Sequence, residues 1–306
     1  MTDYRAHFDF DISFANGGEL SGTGFRLDLP SPEVSEAEIG RLLVQHLGLA
    51  LVANVELRGL RIVEEPHRGS RGVEAAGPVA AASRIVDLSH PIRAGLVTYP
   101  GLPAPVITPH LTREDSRANY APGTEFAMDI ITMIGNTGTY LDSPFHRYAD
   151  GADLAGLDLA TLVGLRAEVF HLTDAWTPQR RGIRPETLAD RHVRGAAVLL
   201  HTGWDRHFGT PEYGVGAPFL TGEAAQWLID AGAALVGIDS VNIDDTAADA
   251  GGARPAHTLL LGAGVHVVEH LTNLGDLPPS GARFTAAPPA IEGFGTFPVR
   301  AFAELP

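Results

Sequence analysis

Apolar and polar residues alternate near the start of the chain, in the segment FDFDISF at 8–14, and this period of two predicts a half-buried β-strand. The sequence NGG at 16–18 and a second run up to Leu29 predict a hairpin, because Asn and Gly accept the positive φ of tight turns. Apolar residues within 39–47 fall on one face of a helix, and strand-like residues follow. Residues 1–65 are therefore predicted to form a small ββαβ unit.

The pattern changes after this unit. Residues 66–83 are rich in Gly, Pro and Ala without periodicity, which predicts a linker. From Arg84 onward, apolar runs separated by turns predict strands: RIVDLSH, EFAMDIITMIG, LRAEVFHLT, AAVLLHTGW, AALVGIDS and GVHVVEHL. An amphipathic helix is predicted to begin at Thr221. We expect residues 84–306 to form an α/β domain, and the early succession of strands argues against a purely doubly wound sheet.

Composition narrows the possible partners and location. The chain has 306 residues, a formal net charge of −15 and no cysteine. Nucleic acids and anionic membranes need basic patches, so neither is an expected partner. The absence of cysteine excludes disulfides, thiol nucleophiles and Cys–zinc sites. The N-terminal residues lack the basic and apolar regions of a signal peptide, and no apolar run is long enough to span a membrane, so we expect a cytoplasmic protein.

The segment GNTGTYLDSPFHRYADG, residues 135–151, carries the first candidate chemistry. It follows the predicted strand EFAMDIITMIG, so we expect it to leave a sheet edge as irregular backbone. Asp142 and His146 are four residues apart, but Pro144 between them argues against a shared helix face. A carboxylate beside an imidazole is typical of a divalent metal site with an activated water. The alternative is a surface turn in which Asp142 caps backbone amides.

A second candidate cluster lies in HTLLLGAGVHVVEHL. Glu269 follows two apolar residues, and a carboxylate in such a run needs a positive partner or a metal. An arginine partner would equally satisfy it, and His257 is equally explained as a loop residue. His266 and His270 are expected to be solvated neighbours. Taken alone, this cluster does not identify a site.

Together, the two clusters resemble the cyclase family of metal-dependent hydrolases, which includes bacterial kynurenine formamidases and isatin hydrolases. The family signature is H-x-G-T-H-x-D-x-P-x-H, and this chain has Asn136-x-Gly138-Thr139-Tyr140-x-Asp142-x-Pro144-x-His146. Later family segments also occur: TGWD at 202–205, VGIDS at 236–240, and His257 followed twelve residues later by Glu269. The resemblance runs from Arg84 nearly to the C-terminus and implies a mixed-sheet domain of the swivelling β/β/α type.

The resemblance also implies a metal site. In such enzymes one metal position uses both signature histidines and the Asp, and here Asn136 and Tyr140 replace the two histidines. The second position retains Asp142, His257 and Glu269, a set that suits one zinc or manganese ion. His146 is then expected to act as general base and acid, and Tyr140 as an oxyanion or proton donor.

Three activities remain open from the sequence. The expected one is hydrolysis of an amide or cyclic amide of a small, aromatic molecule. A metal-assisted cyclase or lyase reaction and metal-free binding are the alternatives. Tyr99 and Trp204 are candidate walls of the substrate pocket, or else core aromatics, and Asp239 and Asp244 are candidate outer acceptors or capping residues. A homo-oligomer is expected by analogy with relatives.

Overall fold

The computed structural model describes residues 2–47, 49, 51–66 and 84–305. The chain packs into two compact units, Met1–Ala80 and Ala81–Pro306. The predicted linker lies outside the described residues apart from Pro66, so it stays a prediction. Within the described ranges, no helix has the length and apolar character needed to cross a membrane.

The N-terminal unit is a three-stranded antiparallel sheet with one helix. Its elements are β1 (Thr2–Phe14), β2 (Glu19–Leu29), α1 (Glu36–His46) and β3 (Val52–Pro66), and the sheet order is β2-β1-β3. Alternate residues of β1 from Ala6 to Ile12 are buried in one core with Ile39 and Leu43 of α1. The order of elements is the predicted ββαβ order, and the residues after the helix form one long strand.

The larger unit contains a nine-stranded mixed sheet. In chain order its strands and those of two small sheets are β4 (Arg84–Asp87), β5 (Val106–Leu111), β6 (Met128–Thr132), β7 (Tyr140–Asp142), β8 (Leu165–His171), β9 (Gly182–Ile183), β10 (Ala197–His201), β11 (Phe219–Leu220), β12 (Leu235–Ile238), β13 (His266–Glu269), β14 (Ser280–Thr285), β15 (Thr296–Pro298) and β16 (Phe302–Leu305). The large sheet has the order β15-β7-β13-β12-β10-β8-β14-β16-β4, while β5 pairs with β6 and β9 with β11. Its helices are α2 (Arg113–Ser116), α3 (Gly222–Ala231) and α4 (Pro255–Gly262).

The centre of the large sheet is parallel, and both flanks are antiparallel. Strands β13, β12, β10 and β8 pair in parallel, and all residues of β12 and β13 are buried. Uninterrupted apolar runs are typical of parallel strands covered on both faces. Helix α3 begins after Thr221, whose side chain accepts a hydrogen bond from the Ala224 N–H, as the sequence predicts. The predicted α/β class with mixed sheets is confirmed.

The strand predicted for EFAMDIITMIG is confirmed only for Met128–Thr132, and the prediction of irregular backbone after it is wrong for residues 140–142. The apolar run forms only the short strand β6, which pairs with β5 outside the large sheet and leaves Ile130 and Ile131 exposed. Residues expected to be irregular form β7, a buried strand between β13 and β15. Three residues are too short for a periodic pattern, and the partners of β7 lie more than 100 residues later, so tertiary pairing decides this strand.

Gly295 allows β15 to pack closely against the turn at Pro144–His146. A Cβ placed at Gly295 would lie 2.5 Å from the backbone nitrogen and 2.6 Å from the Cα of His146. The carbonyl of Gly295 also accepts a hydrogen bond from the Ser143 N–H at 2.8 Å. Because Gly295 has no side chain, β15 can approach the backbone of His146 this closely.

We expect Gly295→Ala to destabilise the fold by about 1–3 kcal/mol, because a backbone-to-backbone contact cannot relax by rotamer changes. Gly156→Ala is the matched control, since its Cβ would meet neighbours at no less than 3.4 Å, and a change within about 0.5 kcal/mol is expected there. Denaturant unfolding monitored by circular dichroism measures both. Equal midpoints for the two variants contradict the close-packing account.

Candidate active site

Two adjacent strands and one helix bring the candidate ligands together. In the antiparallel pair β7–β13, Tyr140 lies opposite Glu269 and Asp142 lies opposite Val267. Residues that are opposite or two apart share one face of a sheet, so Tyr140, Asp142 and Glu269 project to the same side. His257 reaches this face from the first turn of α4. Asp142 therefore meets His257 and Glu269, which lie 115 and 127 residues later along the chain.

The three ligand side chains form one buried cluster. Asp142, His257 and Glu269 are 0%, 7% and 1% exposed, and one ligand atom of each lies within 4.8 Å of the others. Nε2 of His257 is 3.5 Å from Oδ2 of Asp142 and 3.6 Å from Oε1 of Glu269. These separations exceed hydrogen-bond length. They are close to the ~3.3 Å between ligand atoms that a tetrahedral ion with bonds of about 2.0–2.1 Å requires.

His257 is held by Asp244 and is not a loop residue. Oδ1 and Oδ2 of Asp244 accept the backbone N–H groups of Ala256 and His257 at 2.6 and 3.0 Å, which caps the start of α4. Oδ2 is also 2.8 Å from Nδ1 of His257. Because a carboxylate only accepts, Nδ1 carries a proton, and Nε2 is directed at the cluster. Asp244 thus performs both roles left open by the sequence, capping and outer-shell acceptor.

The electrostatics of the cluster favour a cation at its centre. Burial lowers the pKa of His257, but Glu269, Asp142 and Asp244 outweigh it and raise the pKa to about 10. Burial, and then the charge of Asp142, raise the pKa of Glu269 to about 7 although His257 opposes them. Burial likewise opposes ionisation of Asp142, but the neighbouring imidazoles of His257 and His146 lower its pKa below the ordinary value. Three carboxylates around one imidazole therefore hold a proton tightly where a divalent ion would bind.

The donor set fits a divalent metal. Oδ2 of Asp142 is buried and has no hydrogen-bond partner among the described residues. A buried carboxylate oxygen without a partner is costly unless a cation satisfies it. Two carboxylates and one imidazole match the oxygen and nitrogen ligands of borderline divalent ions. Asp142, His257 and Glu269 are accordingly the residues that would hold the metal.

Tyr140 is bound to a ligand of the cluster. Its hydroxyl donates to Oε2 of Glu269 at 2.6 Å, while the N–H of Ile243 donates to Oε1 of Glu269 at 2.6 Å. Burial, and then the charges of Glu269 and Asp142, raise the pKa of Tyr140 well above its ordinary value, so the phenol stays a neutral donor. Asn136, the other replacement in the signature, opposes this rise in the pKa of the same phenol. Tyr140 thus supports Glu269 through a hydrogen bond.

A buried histidine lies behind Tyr140. His270 was expected to be solvated, but it is 0% exposed, and His266 is 5% exposed, so both expectations are wrong. Nε2 of His270 is 3.2 Å from the Tyr140 hydroxyl, and its Nδ1 is 2.8 Å from the Tyr213 hydroxyl. Burial lowers the pKa of His270 to about 3, so the ring is neutral. Since the Tyr140 proton goes to Glu269, Nε2–H of His270 donates to Tyr140 and Tyr213 donates to Nδ1.

His146 is connected to the cluster through Thr296, a residue that the sequence analysis missed. The Thr296 hydroxyl makes a short hydrogen bond to Oδ1 of Asp142 and lies 2.7 Å from Nδ1 of His146. Asp142 is ionised and can only accept, so Thr296 donates its single proton to Asp142. Nδ1 of His146 must then donate to Thr296. This arrangement leaves Nε2 of a neutral His146 without a proton.

These residues surround a cavity of about 510 Å³. The predicted residues Asn136, Tyr140, His146, His257 and Glu269 all line it. The remaining lining residues are Arg147, Asn242, Gly252, Ala253, Arg254 and Thr258. His146 is accessible, with 38% of its side chain exposed. The cluster, the accessible imidazole and the cavity therefore form one site.

The structure places Tyr99 and Trp204 elsewhere. Trp204 is 8% exposed and lies in an apolar cluster with Tyr213, and Tyr99 packs against that cluster. The indole N–H of Trp204 donates to the Tyr213 carbonyl at 2.9 Å. Asp239 accepts hydrogen bonds from Thr202 and the Gly203 N–H, which corresponds to the capping alternative. Tyr99 and Trp204 are not among the residues that line the described cavity.

Comparisons with known proteins find a matching family profile and several similar proteins. The family profile described as "Putative cyclase" matches residues 86–245. Kynurenine formamidase of Geobacillus thermodenitrificans (strain NG80-2) is 31% identical over 218 residues, which are 71% of this chain and 95% of that protein. A solved potential metal-dependent hydrolase with cyclase activity is 26% identical with a TM-score of 0.59, over 73% of this chain and 98% of that one. Isatin hydrolase A from Labrenzia aggregata, bound to benzyl benzoate, is 25% identical with a TM-score of 0.61, over 73% and 94%.

The matched profile includes the Asn136–His146 segment, and the solved structures share the mixed-sheet architecture. The buried cluster supplies the donors that a metal-dependent enzyme needs. The protein is an enzyme, and its chain belongs to the cyclase family of metal-dependent hydrolases.

Proposed function

We propose that the protein hydrolyses an amide or cyclic amide C–N bond of a small, aromatic molecule, with one divalent metal held by Asp142, His257 and Glu269. The observation that carries this proposal is the convergence of the unpartnered Asp142 oxygen and His257 Nε2 beside a cavity that also exposes His146. The names of the relatives, kynurenine formamidase and isatin hydrolase, support an amide and an aromatic group.

Zinc and manganese both suit the proposed ligands, because carboxylates favour the harder ion and an imidazole suits either. When bound, the metal supplies a Lewis acid that polarises the substrate carbonyl and lowers the pKa of a water molecule. Asp244 keeps His257 in the ligating orientation, and Tyr140 does the same for Glu269.

His146 is the proposed general base and acid. Its unprotonated Nε2 accepts a proton from the attacking water and returns it to the nitrogen that leaves. Thr296 is a positioning residue, because it holds Nδ1–H and so presents Nε2 to the cavity. Asp142 is therefore a proposed metal ligand and is also linked, through the Thr296 hydroxyl, to the proposed base His146.

Tyr140 is proposed to act through Glu269. Its proton is committed to that carboxylate, which argues for a positioning role over donation to an oxyanion. Three consecutive hydrogen bonds lead from Tyr213 through His270 and Tyr140 to Glu269, and each donates in the direction of the Glu269 carboxylate. Each donor in the chain stabilises the negative charge of Glu269.

The proposal assigns the chemistry to residues 84–306 and none of it to the N-terminal unit at 1–65. A homo-oligomeric, cytoplasmic enzyme is proposed by analogy with relatives of this fold. All residues with a named role belong to the larger unit.

The reaction is tested with chelated protein reconstituted with Zn²⁺ or Mn²⁺ and incubated with aryl formamides and lactams in heavy-oxygen water. We expect turnover that requires metal, with one labelled oxygen in the carboxylic product, because water supplies that atom. Asp142→Ala should neither retain metal nor turn substrate over. Product without label indicates a cyclase or lyase, and metal content equal to that of Asp142→Ala indicates metal-free binding; either result refutes the proposed hydrolysis.

Thr296→Val tests the orientation of His146. The variant keeps the side-chain shape but removes the hydroxyl, so kcat should fall about 10- to 100-fold with KM nearly unchanged, as a misdirected general base predicts. Thr296→Ser keeps the hydroxyl and should restore most of kcat. Metal content, measured in parallel, separates a misplaced base from lost metal. A Thr296→Ser variant as slow as Thr296→Val would refute the hydrogen-bond explanation.

Tyr140→Phe tests the support of Glu269. We expect metal affinity to weaken about 10- to 100-fold, because an outer partner of a ligand is lost and Glu269 and His270 are left unpaired. Competition against a chromogenic chelator measures this without any substrate. Tyr148→Phe is the control, since its hydroxyl donates to the Thr258 carbonyl and not to a ligand. Equal metal affinity in the two variants would return Tyr140 to a packing role.

A further inference from the structure

Two arginines line the cavity close to the proposed catalytic groups. Arg147 directly follows His146, and Arg254 lies three residues before His257, at the N-terminal end of α4. Nε of Arg147 is 3.4 Å from the Thr258 hydroxyl on the same helix. Both guanidinium groups therefore lie near the first turn of α4, next to the cluster.

Neither arginine forms a salt bridge with a carboxylate among the described residues, although the charge of Arg254 helps to lower the pKa of Asp245. Arg254 donates only to the backbone carbonyls of Asp245 and Ala253. The carboxylate of Asp245 is already engaged by Arg181, with two hydrogen bonds of 2.9 Å each. Arg147 has no salt bridge in the described part of the chain, and its guanidinium lies 5.2 Å from the centre of the Tyr148 ring. In a chain of net charge −15, two arginines without a salt bridge at one cavity, among the described residues, are unexpected.

The rest of the lining is polar and donates hydrogen bonds. The side-chain oxygen of Asn242 accepts the Asp244 N–H, so its amide N–H₂ remains available at the cavity. Thr258 contributes a hydroxyl, and Ala253 and Gly252 are the small residues. Apart from Tyr140 and the histidines, no aromatic side chain belongs to this described lining. A flat apolar molecule without charge finds few matching contacts here.

We infer that Arg147 and Arg254 bind a carboxylate of the substrate, so that the substrates are small amides or lactams that carry a negative charge. This inference rests on the proposed function and specifies its substrate class. Guanidinium groups match the planar, two-oxygen geometry of a carboxylate. Pairing at Arg147 and Arg254 holds one end of the substrate, while the scissile carbonyl lies toward Asp142, His257 and Glu269. The two arginines are specificity-determining residues that take no part in proton transfer.

Matched substrates test the inference. The probes are 2-formamidobenzoate and its methyl ester, which differ only in the charge of the group remote from the formamide. We expect kcat/KM to favour the acid about tenfold or more, and Arg147→Gln and Arg254→Gln each to reduce this preference several-fold, mainly through KM, as the loss of one charge-assisted contact predicts. Arg254→Lys should retain part of the preference. In each of these variants, kcat/KM for the ester should fall by a smaller factor than kcat/KM for the acid.

Arg283→Gln is the matched control. It removes the same charge from β14, which lies four strands away from β13, and its guanidinium contacts the Gly164 carbonyl. The acid-to-ester preference should be unchanged in this variant. A wild-type enzyme that prefers the ester, or a preference unchanged in both cavity variants, would overturn the inference.

A binding measurement separates failure of this inference from failure of the proposed function. Calorimetry with benzoate and with benzamide, on metal-loaded protein, needs no turnover. Benzoate should bind more tightly than benzamide, and the Arg147→Gln/Arg254→Gln double variant, at unchanged metal content, should lose this difference. If no amide is hydrolysed but benzoate binding still depends on the arginines, the anion site stands and the hydrolase proposal fails. If the double variant binds benzoate as the wild type does, the anion site is refuted.

Discussion

The concentration of negative charge around His257 is the constraint on which the site depends. Asp142, Glu269 and Asp244 are all buried and all approach this imidazole. Such a group is costly in a protein interior unless a proton or a cation compensates it. The pairing of β7 with β13 supplies two of the carboxylates, and the cap of α4 supplies the third. The same contacts that build the fold therefore assemble the candidate cation site.

The replaced signature positions extend this arrangement. Tyr140 does not leave a gap where a histidine is expected, because its hydroxyl binds Glu269 and is itself supported by His270 and Tyr213. A directed series of hydrogen bonds in a dry environment stabilises an ionised carboxylate more than isolated contacts do. Under the proposed function, Tyr140 stands at a signature position where the family has a metal-binding histidine and supports a ligand of the remaining metal position.

The sequence predicted the elements with strong patterns and the ligands with a fixed order. Alternation revealed β1, and the resemblance to the cyclase family implied that Asp142, His257 and Glu269 form one cluster. The features of the site that the sequence could not reveal depend on tertiary contacts. Thr296 belongs to no motif, and it contacts His146, which is 150 residues away along the chain. His270 is of a polar type that is expected at the surface, but it is fully buried. A single sequence carries no signal for such pairings, because neither periodicity nor propensity encodes them.

The central claim is that one divalent ion binds between Asp142, His257 and Glu269. Anomalous diffraction from crystals of metal-loaded protein, recorded on both sides of the zinc or manganese absorption edge, locates the ion directly. The account predicts one peak, within bonding distance of His257 Nε2 and of one oxygen from each carboxylate, with Tyr140 still bound to Glu269. A peak coordinated by Asn136 and Tyr140, or no peak at the Asp142 cluster, would contradict it.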